Sequence, residues 1–270
     1  MSKIEYTQSK TYFYNERNHI HEGNSSVFFA TDGNLGRDVC IKVLRNVINS
    51  SQEREIKREV ALLCTLADRI TSIPRIYDYY YDKKNSCAYI VMEKIIGDRF
   101  DRVNCSTEVR LCQFMEQLTG VLIEMGKKKF NHLDLKPENM IIRNKKELVL
   151  FDFNLSAKIS NYVRGSFGYK APEMDGIVET PSRKKSDMFS IGVIMYEKLT
   201  GVLPTYRYDY YYDNPFKHHG SWDYFKEPIE YRNISQKVND IIVRCMKAEP
   251  EDRYKNLYAL RNDLKEARRR

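Results

Sequence analysis

Hydrophobic and polar positions divide this chain into a strand-rich first third and a helix-rich remainder. Apolar runs at residues 27–30 and 39–44 flank a turn at residues 32–34, a pattern that predicts neighbouring strands. Runs rich in Tyr, Ile and Val at residues 76–81 and 88–92 predict two further strands. The first third is therefore expected to form a β-sheet.

One helix is predicted among these strands. Ser50 and Glu53 have the spacing of a capping box, which favours a helix that begins at Ser50. Ile56, Glu59 and Leu63 then recur at helical spacing. The helix is therefore expected to have one apolar face that also carries Glu59.

The remainder of the chain shows mostly helical patterns. Apolar residues at alternating spacings of four and three over 111–125 predict a packed helix, and residues 257–264 predict a last amphipathic helix. Residues 189–199 are apolar nearly all round, which indicates a buried helix ended by Gly201. Two apolar runs around a polar turn at residues 141–151 predict a short hairpin.

Composition favours a cytoplasmic enzyme. The 270 residues, of which 42% are hydrophobic, suffice for one domain or a two-lobed enzyme. No apolar run reaches the roughly 18 residues of a membrane span, and the polar start argues against a secretory signal. Six cysteines without paired spacing are expected to be reduced. The net charge of +8 is dispersed and predicts a solvated basic surface rather than nucleic-acid binding.

The polar segment at residues 132–139 concentrates the candidate chemistry. It lies between a predicted helix and the hairpin and holds Asp134, Lys136 and Asn139. A carboxylate can orient a hydroxyl and accept its proton, an amide oxygen can bind magnesium, and a lysine can meet a phosphate. Asp152 follows the hairpin and adds a carboxylate.

These segments, in this order, resemble the catalytic domain of protein kinases. The likeness extends from about Ile20 to Leu264 and is strongest to the compact Ser/Thr kinases of bacteria. Lys136, two residues after Asp134, also resembles the Ser/Thr branch. The segments that carry the likeness are residues 39–44, 91–95, 132–139, 150–154, 165–173, 186–190 and 250–253.

The resemblance implies an α+β fold of the two-lobed kinase type. Residues 1–270 would form a single kinase domain. A small antiparallel β-sheet lobe with one helix would occupy about residues 12–94, followed by a hinge at about 93–97. A larger, mainly helical lobe would cover about residues 98–270.

The resemblance also implies catalytic and metal-binding roles. Asp134 would orient the acceptor hydroxyl and take its proton, and Lys136 would meet the γ-phosphate of ATP. Asn139 and Asp152 would bind Mg²⁺, with Mn²⁺ as an alternative ion. Lys42 would hold the α- and β-phosphates.

A carboxylate on the first helix would pair with Lys42 in such a kinase. Glu59 is preferred because it shares the apolar face of that helix, while Glu55 and Glu53 are rivals. The other residues expected to contact ATP are Gly23, Ser25, Ser26, Val27, Cys40, Met92, Glu93, Ile95 and Ile141.

Supporting residues follow from the same resemblance. Arg253 would form a buried ion pair with Glu173, and Asp187 would brace the catalytic segment. His132 would support the ring of Phe153 rather than act as a base.

Three departures from the family pattern bear on activity. Gly23 is the one glycine that remains of the three usual in the glycine-rich loop, which predicts weaker binding or slower turnover of the nucleotide. Leu133 replaces the Arg before the catalytic Asp, the non-RD type, so the switch by activation-loop phosphorylation should be absent. Asn154 replaces the Gly of the Asp-Phe-Gly segment and should restrict its flip.

The expected function is transfer of phosphate from ATP to Ser and Thr hydroxyls of protein substrates. One alternative is a pseudokinase that acts as a nucleotide-binding scaffold. Another is a small-molecule kinase of the aminoglycoside type. Kinases of that type lack the buried ion pair that Glu173 and Arg253 would form. Residues 206–212, rich in Tyr, predict an inserted loop packed on the lower lobe rather than a stacking surface for nucleic acid. Nothing in the sequence indicates an oligomeric state.

Overall fold

A computed structural model describes residues 2–7, 10–22, 25–105, 107–153, 166–174, 184–204 and 234–269. The described residues form two compact units, one up to Ile96 and one from Gly97 onward. Among the described residues, no helix is both long and apolar enough to cross a membrane. The predictions for Gly23, Asn154 and residues 206–212 lie outside the described residues.

The first unit contains a six-stranded sheet in which every described pairing is antiparallel. Its strand order is β1-β2-β3-β4-β6-β5. The four predicted strands are present, whereas β1 and β2 have too few apolar residues for a pattern to reveal them. The strands are β1 (Ser2–Thr7), β2 (Lys10–Glu22), β3 (Ser25–Asp32), β4 (Asp38–Leu44), β5 (Ile76–Asp82) and β6 (Cys87–Glu93).

Strand β4 separates an apolar face of this sheet from a face that carries Lys42. Val39, Ile41 and Val43 alternate along β4 and are buried together with Val91 of β6 in one cluster. Successive side chains of a strand point to opposite faces, so Lys42 belongs to the other face. Its alignment with Ile90 of β6 fixes its position within the sheet.

Helix α1 (Ser50–Ala67) begins where the sequence predicts, but the predicted cap is wrong. The cap is Asn49, whose side-chain oxygen accepts hydrogen bonds from the backbone N–H groups of Ser51 (3.1 Å) and Gln52 (2.9 Å). Asn is as good a cap as Ser and stands one residue earlier. Ser50 is therefore the first residue of the helix rather than the residue that caps it.

The second unit is mainly helical and contains a small sheet. The strands β7 (Asp98–Arg99), β8 (Met140–Arg143) and β9 (Glu147–Leu150) pair antiparallel, and the last two form the predicted hairpin. Helix α4 (Gln236–Cys245) buries Val238, Ile241, Ile242 and Cys245, which recur at helical spacing. The helices are α2 (Glu108–Lys127), α3 (Ser186–Thr200), α4 (Gln236–Cys245) and α5 (Leu257–Ala267).

Helix α3 is the buried helix that its composition predicts. Twelve of its fifteen residues are buried, so the helix has almost no solvent-exposed face. Its end follows the predicted signal, because Gly201 adopts a left-handed φ of 78° and donates its N–H to the carbonyl of Glu197 at 2.8 Å. The strand-rich first unit and the helical second unit agree with the expected two-lobed α+β fold.

Gly192 lets α3 and α4 approach closely. A Cβ added at this position would lie 2.7 Å from Cβ of Cys245 and 2.7 Å from Cγ of Met246. Real Cβ atoms almost never approach other heavy atoms so closely, and the neighbours are part of a packed core. The glycine is therefore needed for the distance between the two helices.

We expect Gly192→Ala to lower the free energy of unfolding by about 1–3 kcal/mol, because the added methyl group overpacks this contact. Urea denaturation followed by circular dichroism measures the change. Gly126→Ala in α2 is the matched control, since an added Cβ there meets no atom within 4 Å. The control should leave stability unchanged or raise it by up to about 1 kcal/mol. Equal stability of the two variants would contradict the packing argument.

Candidate active site

The candidate catalytic segment, residues 132–139, is held by a buried carboxylate on α3. Asp187 accepts hydrogen bonds from the backbone N–H groups of His132 (2.8 Å) and Leu133 (2.6 Å). Leu133 is buried and adopts a left-handed φ of 64°. The predicted bracing by Asp187 is confirmed, and it fixes the backbone directly before Asp134.

His132 contacts Phe153 in the segment that follows the hairpin of β8 and β9. Its ring meets that of Phe153 edge to face, with centroids 5.3 Å apart, as predicted. Burial lowers the pKa of His132, although the negative charges of Asp187, Asp134 and Asp152 oppose this shift. The imidazole is therefore neutral at physiological pH, which suits a supporting role.

Asn139 links the segment that contains Asp134 to the segment that contains Asp152. Its side-chain nitrogen donates to the backbone carbonyl of Asp134 at 3.0 Å. Its own backbone carbonyl accepts the N–H of Phe151 at 3.0 Å, which places Asp152 one residue further along. Asp152 adopts a left-handed φ of 58°, a conformation found at functional sites when the surroundings enforce it. The second unit therefore brings Asp134, Asn139 and Asp152 together.

These side chains suit a hard cation. The amide oxygen of Asn139 and the carboxylate of Asp152 are donors that Mg²⁺ accepts, and this ion usually keeps water or phosphate oxygens as its other ligands. The described residues contain no group of three or more His, Cys, Asp or Glu side chains arranged for a metal. A two-residue site of this kind fits an ion that arrives with a nucleotide. Lys136, half-buried, precedes the 3-10 turn Pro137–Asn139.

Ser166 is a contact of the candidate base that sequence reasoning missed. Its hydroxyl donates a hydrogen bond to Oδ1 of Asp134 at 2.8 Å. The sequence offered one signal, namely its place five residues before the Ala171-Pro172-Glu173 motif, but no local pattern indicates the partner. The contact shows that a hydroxyl fits within hydrogen-bonding distance of this carboxylate.

The segment of residues 166–174 is attached to α3 through Tyr169. The phenol of Tyr169 donates to Oε2 of Glu197 at 2.7 Å, and Ser190 donates its hydroxyl to the carbonyl of Tyr169 at 2.8 Å. Burial raises the pKa of Tyr169. The hydrogen bond and charge of Glu197 raise it further, as do the charges of Glu138 and Asp101. Several carboxylates therefore lie near this phenol.

The predicted ion pair of Glu173 and Arg253 is confirmed by its geometry. Two parallel hydrogen bonds of 2.8 Å join the side chains, and both are fully buried. Ser186 donates to Glu173 at 2.7 Å, and the carbonyls of Lys185, Lys247 and Ala248 accept the three remaining guanidinium protons. Burial would raise the pKa of Glu173, but Arg253 and Ser186 lower it below its usual value.

The candidate nucleotide residues of the first unit lie on three adjoining strands. Lys42 is 6% exposed and aligns with Val27 of β3. Cys40 aligns with Met92 of β6, and both side chains are half-buried. Ser25 and Ser26 at the start of β3 are buried, and Ser26 accepts a hydrogen bond from Arg45.

The three rival carboxylates of α1 differ in their surroundings. Glu53 accepts a hydrogen bond from the hydroxyl of Tyr79 at 3.3 Å, and Glu55 is exposed. Glu59 is half-buried and directly precedes the buried Val60. These differences favour Glu59 among the three.

The predicted hinge residues begin at the end of β6. The backbone N–H of Glu93 donates a hydrogen bond to the carbonyl of Arg75 at 2.8 Å. Ile95 follows and is half-buried.

At the start of the second unit, Gly97 permits a close approach to β8. An added Cβ at this position would lie 2.7 Å from Cγ2 of Ile141. No sequence pattern indicates this steric constraint on Gly97.

Comparisons with known proteins agree with this geometry. A model of the family described as "Protein kinase domain" matches residues 14–264. A probable serine/threonine-protein kinase of Clostridium acetobutylicum is 30% identical over 258 residues, which cover 90% of this chain and 38% of that protein. The serine/threonine-protein kinase PrkC of Bacillus subtilis is 28% identical over 262 residues, or 91% of this chain and 39% of PrkC.

A eukaryotic relative shows the same likeness. Calcium/calmodulin-dependent protein kinase type 1 of Caenorhabditis elegans is 30% identical over 254 residues, which cover 85% of this chain and 67% of that protein. The chain thus spans about two fifths of the two bacterial relatives and two thirds of this one. On the family match and the arrangement of its polar residues, this chain belongs to the protein kinase domain family.

Proposed function

We propose that this chain is an ATP-dependent protein Ser/Thr kinase that transfers the γ-phosphoryl group of Mg²⁺-bound ATP to Ser and Thr hydroxyls of proteins. The observation that carries the proposal is the link through Asn139, which joins the backbone of Asp134 to that of Phe151. This link holds the proposed base, Asp134, near the two proposed oxygen ligands of the cation, Asn139 and Asp152. The relatives named above, all called kinases, support the same reaction.

Asp134 orients the acceptor hydroxyl and accepts its proton in this proposal. Its Oδ1 already takes a hydrogen bond of 2.8 Å from the hydroxyl of Ser166, which is the distance that proton transfer needs. The brace from Asp187 holds the backbone on the N-terminal side of Asp134, and Asn139 holds its carbonyl. The carboxylate therefore needs little reorganisation when a substrate binds.

The remaining polar residues bind and orient the nucleotide. Asn139 and Asp152 hold Mg²⁺ or Mn²⁺, an ion that neutralises the charge of the phosphates when bound. Lys42 binds the α- and β-phosphates and is oriented by Glu59, while Lys136 meets the γ-phosphate. Further contacts to ATP come from Gly23, Ser25, Ser26, Val27, Cys40, Met92, Glu93, Ile95 and Ile141.

Leu133 supports activity without phosphorylation of the activation loop. An apolar side chain that is 8% exposed offers no hydrogen-bond donor to a phosphate, whereas an Arg would. The same residue favours the second candidate function, a pseudokinase that binds nucleotide and acts through partners. The two candidates differ in one measurable property, which is phosphoryl transfer dependent on Asp152 and Lys42.

We expect Lys42→Met and Asp152→Ala each to lower transfer from radiolabelled ATP to a generic basic protein by about 10²–10³-fold or more, because charge stabilisation at the phosphates is lost. Lys57→Met, an exposed lysine of α1, is the matched control and should retain full activity. Circular dichroism checks that the variants fold. Retained activity in either variant, or no transfer by the wild type, would reject the proposal.

We expect Lys136→Ala to reduce kcat by about 100-fold while the KM for ATP changes little, since this contact is strongest in the transition state. Steady-state kinetics with ATP varied at saturating protein substrate separates the two parameters. Lys136→Arg should recover part of kcat because it keeps the charge. A rise in KM with unchanged kcat would show that Lys136 contributes only to nucleotide binding.

We expect phosphatase treatment of the purified protein to change its initial rate of phosphoryl transfer by less than about twofold relative to untreated protein, because Leu133 cannot bind a phosphorylated loop residue. Mass spectrometry before and after treatment should establish the occupancy of Ser156, Ser160 and Ser166. A mock treatment with inactive phosphatase is the control. Loss of activity on removal of phosphate from any of these three serines would contradict the expectation.

A further inference from the structure

Three cationic side chains at the end of α5 face one carboxylate of α2. The side chain of Glu116 is 10% exposed, whereas those of Arg261, Lys265 and Arg268 are 37–42% exposed. Their nitrogens lie 3.7, 3.9 and 2.8 Å, respectively, from the carboxylate oxygens of Glu116. The carboxylate is thus buried beneath more exposed cations. Two positive charges remain uncompensated among these four side chains, which we call the basic cluster.

The cations of the basic cluster are not satisfied by hydrogen bonds to Glu116. Nη2 of Arg261 and Nζ of Lys265 are farther from the carboxylate than a hydrogen bond allows. The contact of Arg268 is an ion pair not aligned as a hydrogen bond, since Oε2 of Glu116 accepts none among the described residues. Nε of Arg261 is inaccessible to solvent and has no acceptor in the same part of the chain. Such an unsatisfied buried donor calls for an explanation, and a bound anion supplies one.

The surfaces of two helices hold the cations side by side. A Cβ added at Gly120 would lie 3.4 Å from Cζ and 3.4 Å from Nη2 of Arg261, so the guanidinium rests against α2. Glu116 and Gly120 are one helical turn apart. Arg261, Lys265 and Arg268 are spaced by four and three residues, which places them on one face of α5 and its last turn. This arrangement exists before a ligand binds, which lowers the entropy cost of binding.

The charge of the basic cluster suits a phosphate monoester. A phosphorylated Ser or Thr carries about −1.5 to −2 charges at pH 7 and three strong acceptor oxygens. This charge matches the two uncompensated positive charges, and the planar forks of two Arg side chains can bind such oxygens in pairs. The carboxylate of an Asp or Glu carries a single negative charge and would balance only half of the excess.

A nucleic acid or a membrane matches the basic cluster less well. Each phosphodiester group carries one charge, and nucleic-acid sites distribute their cations along a groove with aromatic side chains for stacking. The three cations instead converge within 3.9 Å of one carboxylate. Anionic membranes are bound by patches of about 4–8 Lys and Arg side chains.

We propose that Arg261, Lys265 and Arg268 bind the phosphate group of a phosphorylated Ser or Thr in a segment of a partner protein, and that Glu116 and Gly120 hold these cations in position. This site is distinct from the candidate active site, and its binding reaction requires no ATP. A Ser/Thr kinase produces ligands of this class, so the site would let the chain retain phosphorylated proteins.

The test measures binding, without ATP, to pools of short peptides with randomised flanks and a central phosphoserine, Glu or Ser. We expect the phosphoserine pool to bind at least about 10-fold more tightly than either other pool at physiological salt, as charge-assisted hydrogen bonds allow. Arg261→Gln and Lys265→Gln should each lower this affinity by about 10-fold. Lys57→Gln removes one exposed charge from α1 and is the matched control that should keep the affinity. Equal binding of the three pools, or unchanged binding in both Gln variants, would overturn the site.

Further variants separate binding from a structural role of the cations. Arg261→Lys keeps the charge but loses the planar fork, so its affinity should fall between those of the wild type and Arg261→Gln. An affinity equal to that of Arg261→Gln would contradict the role of charge. Circular dichroism checks that each variant folds. If Arg261→Gln does not fold, the more exposed Lys265 decides the question through Lys265→Gln.

Competitors identify the source of the bound anion. Inorganic phosphate, a single-stranded oligonucleotide and phosphatidylcholine vesicles that contain phosphatidylserine are added in turn to the complex with the phosphoserine pool. We expect each to compete at least about 10-fold more weakly than unlabelled phosphopeptide, because none combines a dianion with a peptide backbone. Equal or stronger competition by one of them would assign the basic cluster to that ligand and overturn the proposal.

The catalytically impaired variant Asp152→Ala distinguishes this site from the proposed kinase function. It should bind the phosphoserine pool as tightly as the wild type, because the basic cluster takes no part in phosphoryl transfer. Loss of binding in Asp152→Ala would locate the phosphopeptide at the candidate active site and overturn the inference. Absence of kinase activity in the wild type would reject the proposed function and leave the binding result unaffected.

Discussion

The candidate catalytic segment, residues 132–139, depends above all on the buried carboxylate of Asp187. A carboxylate in the core is costly unless it is hydrogen-bonded, and Asp187 is compensated by the backbone N–H groups of His132 and Leu133. The dependence is mutual, because loss of Asp187 would leave two buried donors unsatisfied. This contact holds Leu133 at a left-handed φ of 64°, which residues with a Cβ seldom adopt. The position of Asp134, the next residue, follows from it.

Helix α3 acts as the platform for this arrangement. It is buried nearly all round, and its polar side chains serve the neighbouring segments instead of solvent. Besides Asp187, it supplies Ser190 and Glu197 to Tyr169 and Ser186 to Glu173. The ion pair that Glu173 forms with an Arg is fully buried, and removal of one partner of such a pair typically costs about 3–5 kcal/mol. A packed helix thus determines the geometry of two loops.

Sequence patterns could predict the elements and the polar motifs but not the contacts between distant segments. Strand runs and helical stripes are local signals, and Lys136 and Asp152 stand in recognisable motifs. The hydrogen bond between Ser166 and Asp134 joins residues 32 positions apart, so no local pattern encodes it. The cap at Asn49 was missed because a neighbouring Ser also fits a capping motif. The constraint on Gly97 exists only through the strand beside it.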